Sequence, residues 1–312
     1  MGARTMHGAA HRLLADGRRL HLHHGPIDIV AEAFGPPDAV RAAYARAVAR
    51  FETVLVELVE ELPVLRRPVA DGPVLVRGET ATRMWRAARA FAPAFVTPMA
   101  GVAGAVAETV LAALVADAAI GRAYVNDGGD IALHLAPGSA PLTALIAVDP
   151  HDPASPGDLV VAPGDPWRGI ATSGRHGRSH SLGIADSVTV LAETAAVADV
   201  AATLIANAVD LPGHPAVVRT PASALDPDSD LGERLVTTAV GPLDAADVSW
   251  ALDMGERTAE KYVAAGLIGG ALVVLGGVAR VVGDVPLRGG GGRGPEQRGC
   301  AAWQRSSSAR TS

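Results

Sequence analysis

Three short stretches of this chain gather side chains that can do chemistry. The first is Asn126-Asp127-Gly128-Gly129-Asp130. Asp-Gly and Gly-Gly supply the positive φ that a tight hairpin turn needs. The same bare glycine backbone, flanked by Asn126 and Asp130, also lets a planar or phosphorylated ligand approach closely. The second stretch runs Ile170-Ala171-Thr172-Ser173-Gly174 and then Arg175-His176-Gly177-Arg178-Ser179-His180-Ser181. Here a strand pattern leads into hydroxyls, guanidiniums and imidazoles. The planar forks of Arg175 and Arg178 match phosphate oxygens. His176 and His180 can donate to such oxygens or shuttle a proton. The bland alternative is a polar surface loop.

The third is the pair Asp199 and Thr203 on a predicted helix. At i and i+4 they share one helical face. A carboxylate and a hydroxyl there can reach one hard cation such as Mg²⁺, which takes oxygen ligands. The alternative is simpler: Asp199 near the first turn offsets the helix dipole.

Other candidates are weaker. His21 and His23 share a strand face, but no carboxylate or cysteine is spaced to complete a zinc site with them. Asp226, Asp228 and Asp230 alternate as in half of a calcium loop, without the glycine and distal Glu at the right offsets. No Walker or nucleophile-elbow motif is present.

The elements that must position these residues are legible from periodicity. Residues 19–33 read as two short strands meeting at Gly25-Pro26. Residues 38–62 read as a helix with Val40, Tyr44, Val48, Phe51, Leu55, Leu58 and Leu62 on one face, capped by Asp38 and ended by Pro63. A second helix is expected over 79–91. Residues 99–120 form an Ala/Gly/Val-rich segment begun by Thr97-Pro98, small enough to bring its backbone close to a neighbour or a ligand.

Strands are expected at 123–126, 131–136, 142–148, 169–172, 187–191 and 235–240, and helices at 193–209 and 244–265. Residues 149–168, rich in Pro, Asp and Gly, read as loop. Helices and strands mix without steady alternation, so the fold class is α+β. The expected organisation is a tail over 1–18, one domain over 19–282 and a disordered tail over 283–312.

Composition narrows the chemistry. Lys261 is the only lysine and Cys300 the only cysteine. A lysine nucleophile elsewhere, disulfides, Cys₄ zinc and iron–sulfur clusters are therefore excluded. The net charge is −6, and five arginines lie beyond residue 282, which leaves the first 282 residues near −9. An acidic body without a basic stripe argues against nucleic acid. The longest apolar run, residues 263–279, contains five glycines and falls short of the roughly 20 residues of a membrane span. The expectation is a cytoplasmic chain without a membrane partner.

Taken in order, Asn126-Asp-Gly-Gly-Asp130, Ala171-Thr-Ser-Gly174 and Ala198-Asp-Val-Ala-Ala-Thr203 resemble the motifs of the ApbE superfamily, whose best-known members are FAD:protein FMN transferases. Gly25 to Asp28, Thr97 to Ala107, Ala171 to Asp186 and Pro227 to Gly232 resemble phrases of a prokaryotic UPF branch of that superfamily. The resemblance covers about residues 19–280. It implies ApbE-like, T-fold-like mixed sheets with helices packed around a central cleft. It also implies Mg²⁺ held by Asp199, Thr203 and a carbonyl near Val102, and FAD or FMN as the cofactor.

A flavin nucleotide would then be bound by Asn126, Gly128, Gly129, Asp130, Thr172, Ser173, Gly174, Arg175 and Arg178, with Asp199 and His180 in catalysis. FMN would pass from FAD to a Ser or Thr hydroxyl of an acceptor protein, releasing AMP. The chain departs from the transferases where Ala103-Gly104 stands in place of Lys-Gly. Leu182 to Asp186 likewise replaces Pro-x-Thr-Gly. Two other readings follow: a flavin-binding module serving a redox partner, or an enzyme on another anionic molecule gripped by Arg175, Arg178 and His180.

Overall fold

A computed structural model of the chain describes residues 8–69, 75–117, 119–146, 158–177 and 179–288. Its centre is one nine-stranded sheet. In chain order the strands are β1 (Ala10–Leu13), β2 (Leu20–His24), β3 (Ile27–Phe34), β4 (Arg122–Asp127), β5 (Asp130–Leu135), β6 (Leu142–Leu145), β7 (Asp158–Val161), β8 (Gly169–Ser173), β9 (Ser187–Ala192), β10 (Val217–Pro221), β11 (Leu235–Val240), β12 (Gly270–Leu275), β13 (Val278–Gly283) and β14 (Leu287–Arg288). The large sheet runs β1-β2-β3-β4-β5-β8-β9-β12-β13. All of its pairings are antiparallel. The α+β class therefore holds, but the sheets are antiparallel throughout the described residues rather than mixed.

Helices α1 (Pro37–Leu65), α2 (Glu79–Arg89), α3 (Val102–Leu114), α4 (Ala195–Ala208), the short α5 (Ala222–Leu225) and α6 (Ala245–Ala264) complete the chain. The main core lies between the sheet and helices α1–α4 and α6, and includes Ala123, Val125, Ala132, Ala171 and Val190. A small sheet, β14-β7-β6, covers the other face. There Tyr124, Ile131, Ile170 and Leu191 pack on Ala144, Leu159 and Val161. Alternate residues of each central strand thus serve two cores, as the two-residue period of a strand requires.

Local expectations met the structure unevenly. Helix α1 runs two residues past Pro63. A proline inside a helix forfeits a hydrogen bond, but the fully buried Leu65 anchors the extra half turn. Its buried side is Ala43, Ala47, Phe51, Val54 and Leu58. The larger Val40, Tyr44, Val48 and Leu55 flank it half-covered, because alanines allow the closer approach to α3. Asp38 makes no cap; its carboxylate accepts from Arg41 one turn on.

Strand β1 lies inside the stretch expected to be a tail, and β7 lies inside 149–168, expected to be loop. Strands β10 and β13, whose residues show no clean alternation, went unanticipated. Asp244 does cap α6, its side chain accepting the N–H of Asp247. Residues 289–312, with Cys300, lie outside the described residues. No described helix is long and apolar enough to cross a membrane.

The antiparallel registers decide which turns come together. Ile29 pairs with Asp127, Asp127 with Asp130, Ile131 with Ile170, Ser173 with Val188, and Ser187 with Val274. The Gly25-Pro26 turn, the Gly128-Gly129 turn, the end of β8 and the Gly276-Gly277 turn therefore fall along one end of the sheet. Gly128 and Gly129 have φ of 68° and 122°, a conformation that glycine adopts without steric cost.

Candidate functional site

Asp199 stands in the second turn of α4, and its carboxylate serves a different helix. Its Oδ2 accepts the N–H of Gly104 at 3.0 Å, and the N–H of Ala103 bonds to it as well. It thereby caps the first turn of α3, where the N–H groups of a helix lack internal partners. The close crossing is possible because Gly104 has no side chain: a Cβ there would lie 2.3 Å from the carbonyl oxygen of Ala195. The first turn of α4 is capped by other groups. Thr194 accepts from Val197, and Glu108 accepts the N–H of Ala196 at 2.7 Å.

The electrostatics of Asp199 are unusual. It keeps only partial contact with solvent. Desolvation by surrounding protein pushes its carboxyl up to about 7; the Gly104 N–H pulls the other way, the charge of Asp127 adds to the rise, and the Ala103 N–H again opposes it. Two carboxylates that repel one another favour a proton or a cation beside them. Thr203 follows one turn along α4, half-buried on the same face. Val102 opens α3, where helical geometry sends its carbonyl down the axis toward the following turn. What α3 turns toward Asp199 is N–H groups.

Asp127 is the residue that sequence reasoning passed over. It is buried at the end of β4, on the side of the sheet that carries Ala123 and Val125 and faces the helices. Period-two counting along β4 could have found it, since it repeats the phase of those two core residues. Its neighbours in the motif do other work. Asn126 Oδ1 accepts the N–H of Gly129 at 2.8 Å and holds the turn. Asp130 Oδ1 accepts the N–H of Thr172 at 3.3 Å, tying the hairpin to β8.

In the second motif, the Thr172 hydroxyl bonds to the Thr189 hydroxyl at 3.0 Å. Alternation along β8 puts that pair with Ile170 and Leu191, on the face away from the helices. Ser173 takes the helix-side phase of Ala171. Gly174 has φ 151°, and a Cβ there would meet the carbonyl oxygen of Asp186 at 2.4 Å.

Arg175 does not stand open for a phosphate. Its Nε and terminal nitrogen contact Asp186 at 2.8 and 2.6 Å. Asp186 also accepts the N–H of Gly276 at 2.7 Å, and His176 lies 3.4 Å from it. The arginine predicted as an anion clamp thus locks the β8–β9 connection to the β12–β13 turn. Arg178 lies outside the described residues. His180 is exposed. Two residues on, the Leu182 N–H bonds Asn207 Oδ1 at 2.9 Å. Asn207 follows Asp199 and Thr203 at i+8, so the His180 loop rests on the same stripe of α4.

Beside Asp127 and the first turn of α3 opens a cavity of about 940 Å³, within the range of small-molecule sites. Leu55, Leu58 and Leu62 of α1 form one wall; Met84, Val102, Ala103 and Val106 form another, and Asp127 reaches its lining. Sequence reasoning missed this space because its walls come from six elements, β2, β3, β4, α1, α2 and α3, with ordinary core patterning. The loop carrying Asp226 to Gly232 sits nearby: Asp230 accepts from the buried Thr97 hydroxyl, and Asp228 stands 3.9 Å from Arg66, which also lines the cavity.

A sequence model of the family described as AbpE bacteria matches residues 11–281 of this chain. The UPF0280 protein of Methanothermobacter thermautotrophicus is 36% identical over 184 residues, which are 55% of this chain and 62% of that protein. The UPF0280 protein of Methanopyrus kandleri is 36% identical over 152 residues, 46% of this chain and 59% of that protein. The chain therefore spans less than two thirds of the length of these relatives. Among solved structures, the ApbE protein of Thermotoga maritima is similar with a TM-score of 0.44 and 14% identity, over 87% of this chain and 96% of that one. The apo flavinyl transferase ApbE of Pseudomonas stutzeri is similar with a TM-score of 0.41 and 14% identity, over 90% and 96%.

Proposed function

This chain belongs to the AbpE bacteria family, and from that membership we propose that it binds a flavin nucleotide beside a Mg²⁺ ion and transfers FMN from FAD to a protein hydroxyl. The observation that carries the reading is the Asp199 carboxylate held at the start of α3 and raised by the charge of Asp127, which lines the large apolar cavity. The donor set fits the ion: hard oxygens from Asp199 and Thr203, with Asp127 in place of the Val102 carbonyl. Two carboxylates with mutual repulsion are relieved by a divalent charge. The cavity fits a flat, mostly apolar ring.

A cation there would supply neutralisation of a diphosphate. The chain's own residues do the rest. Ala103 and Gly104 hold the Asp199 carboxylate in one orientation through their N–H groups. The leucines of α1, with Met84 and Met99 of the same lining, exclude water from the ring. Gly128 and Gly129 leave room for a close backbone approach, and Ser173 lies on the helix side of β8. To His180, on its exposed loop, this reading assigns the acceptance of the proton of an incoming acceptor hydroxyl.

A second reading is favoured by Ala103. Where the resembling transferases carry Lys, this chain has a methyl group on the cavity wall. A chain lacking that cation can hold a flavin for a redox partner without cleaving it. One experiment separates the two. The purified protein is incubated with FAD, Mg²⁺ and candidate acceptor proteins, and AMP release and flavinylated hydroxyls are read by mass spectrometry. Both products, absent in Asp199→Ala, support transfer. FAD bound and recovered intact supports the binding module. No binding of FAD with or without Mg²⁺ overturns both.

A further inference from the structure

The cavity holds a polar group that the proposed reading leaves unused. His24 ends β2, directly before the Gly25-Pro26 turn, and is 5% exposed. Its ring packs edge-on against Phe51 with centroids 6.2 Å apart, and it lines the cavity with Leu55, Leu58, Met84 and Val106. Its Nδ1 is buried and has no hydrogen-bond partner among the described residues.

The neighbouring histidines are different. His21 Nε2 lies 2.6 Å from the Asp28 carboxylate, and His23 Nδ1 lies 3.8 Å from its other oxygen. A buried nitrogen without a partner costs stability, and a phenyl or isobutyl group would pack in the same place without that cost. Buried polar atoms left unsatisfied in a native fold call for a functional account. Here the account lies in the space that the ring borders.

We propose that His24 is a ligand-reading residue of this cavity, supplying a hydrogen bond to the polar edge of a flat, otherwise apolar heteroaromatic ring. The wall chemistry sets the ring class: leucine, valine and methionine side chains take an apolar face, and the His24 imidazole, buried among them while His23, Arg66 and Asp127 also border the space, takes a single edge. Neutral imidazole offers one donor and one acceptor, and a half-turn of the ring about Cβ–Cγ exchanges the two sides. An imide edge, which carries both N–H and C=O, satisfies it in either tautomer. The isoalloxazine of a flavin belongs to this class. The identity of the ring thus rests on the flavin reading, while the role of His24 does not.

The test titrates lumichrome, a bare tricyclic ring with an imide edge, and separately FAD, into the wild-type chain, His24→Phe and His24→Gln. Binding is followed by fluorescence, and thermal melting of the ligand-free proteins runs in parallel. His24→Phe should melt at or above the wild-type temperature, since it removes the orphan nitrogen, yet bind lumichrome about tenfold or more weakly. His24→Gln, which keeps a polar edge, should recover part of the affinity.

Equal lumichrome binding by wild type and His24→Phe overturns the proposal. So does a loss of binding in both variants that merely follows a fall in melting temperature. Lumichrome bound in a His24-dependent way without FAD binding sinks the nucleotide reading and leaves this one standing. FAD and lumichrome bound equally by all three proteins does the reverse. Wild type that binds neither overturns both.

Discussion

The carboxylate of Asp199 on α4 accepts the backbone N–H of Gly104 on α3 at 3.0 Å, at a crossing where Gly104 leaves no room for a methyl group. One residue type therefore makes the approach possible and the other uses it. A helix N-terminus is stabilised by negative charge, so α3 holds the acid in place. The acid in turn feels the charge of Asp127. Stability and the candidate chemistry are coupled through this one contact.

Gly104→Ala tests the crossing. A Cβ would stand 2.3 Å from the Ala195 oxygen and 2.5 Å from its carbonyl carbon. Both are backbone atoms, so α3 and α4 must separate. The variant should lose about 2–4 kcal/mol of stability, read as a lowered urea midpoint, whereas Gly121→Ala, with open space around it, should cost far less.

Asp199 makes stability depend on pH with a defined sign. Its carboxyl titrates near 7 in the folded chain and near the ordinary 3.8 when unfolded. The folded state then holds the proton more tightly. The favourable contribution is fully present below about pH 4, declines as pH rises, and is gone above about pH 7. Between about pH 5 and about pH 8 the wild type should lose on the order of 2 kcal/mol more than Asp199→Asn, by urea unfolding. Equal losses would remove the case for a perturbed acid.

Mg²⁺ should act against that penalty. At about pH 8, with Asp199 ionised, added Mg²⁺ should raise the melting temperature of the wild type and tighten FAD binding. Thr203→Val should weaken the Mg²⁺ effect about tenfold, with little change in the melting temperature of the metal-free protein. Asp199→Asn should abolish it. A Mg²⁺ response unchanged in both variants would place the ion elsewhere.

Arg175→Gln separates a structural arginine from an anion clamp. The pair with Asp186 is partly buried, with side chains 29% and 12% exposed. Losing it should cost about 1–2 kcal/mol after allowance for solvent screening. Affinity for FAD should stay within about twofold. A large loss of FAD affinity with unchanged stability would restore the phosphate role that the motif suggests.

Thr97→Val removes the hydroxyl that bonds Asp230. Thr97 is 2% exposed, so the lost bond should cost about 1–2 kcal/mol. Because the Asp226 to Gly232 loop then loses its hold beside Arg66, hydrogen exchange in that loop should quicken more than in α1.

Much of the frame was legible along the chain, and the reasons are local. Gly128-Gly129 must turn because only glycine takes those angles cheaply. The small side chains from Ala100 to Ala107 announced a close backbone approach, and Gly104 makes it. The Asp199–Thr203 spacing placed both on one face. Where a residue has two possible partners, local pattern failed. Arg175 suits phosphate and carboxylate equally, and Asp186 reached it first. Thr172 sits in the right motif, yet its hydroxyl bonds Thr189 on the far face.

Periodicity and turn chemistry alone determined the α+β class, the hairpin and the helices that carry the acidic pair, because those features depend on residues within a few positions of one another. The meeting of Asp199 with Asp127, the diversion of Arg175 to Asp186, and the cavity around His24 were decided only by tertiary structure. Each depends on strand register and helix crossing, which bring together groups as far apart in sequence as Gly104 and Asp199, 95 positions, through packing that no local window contains.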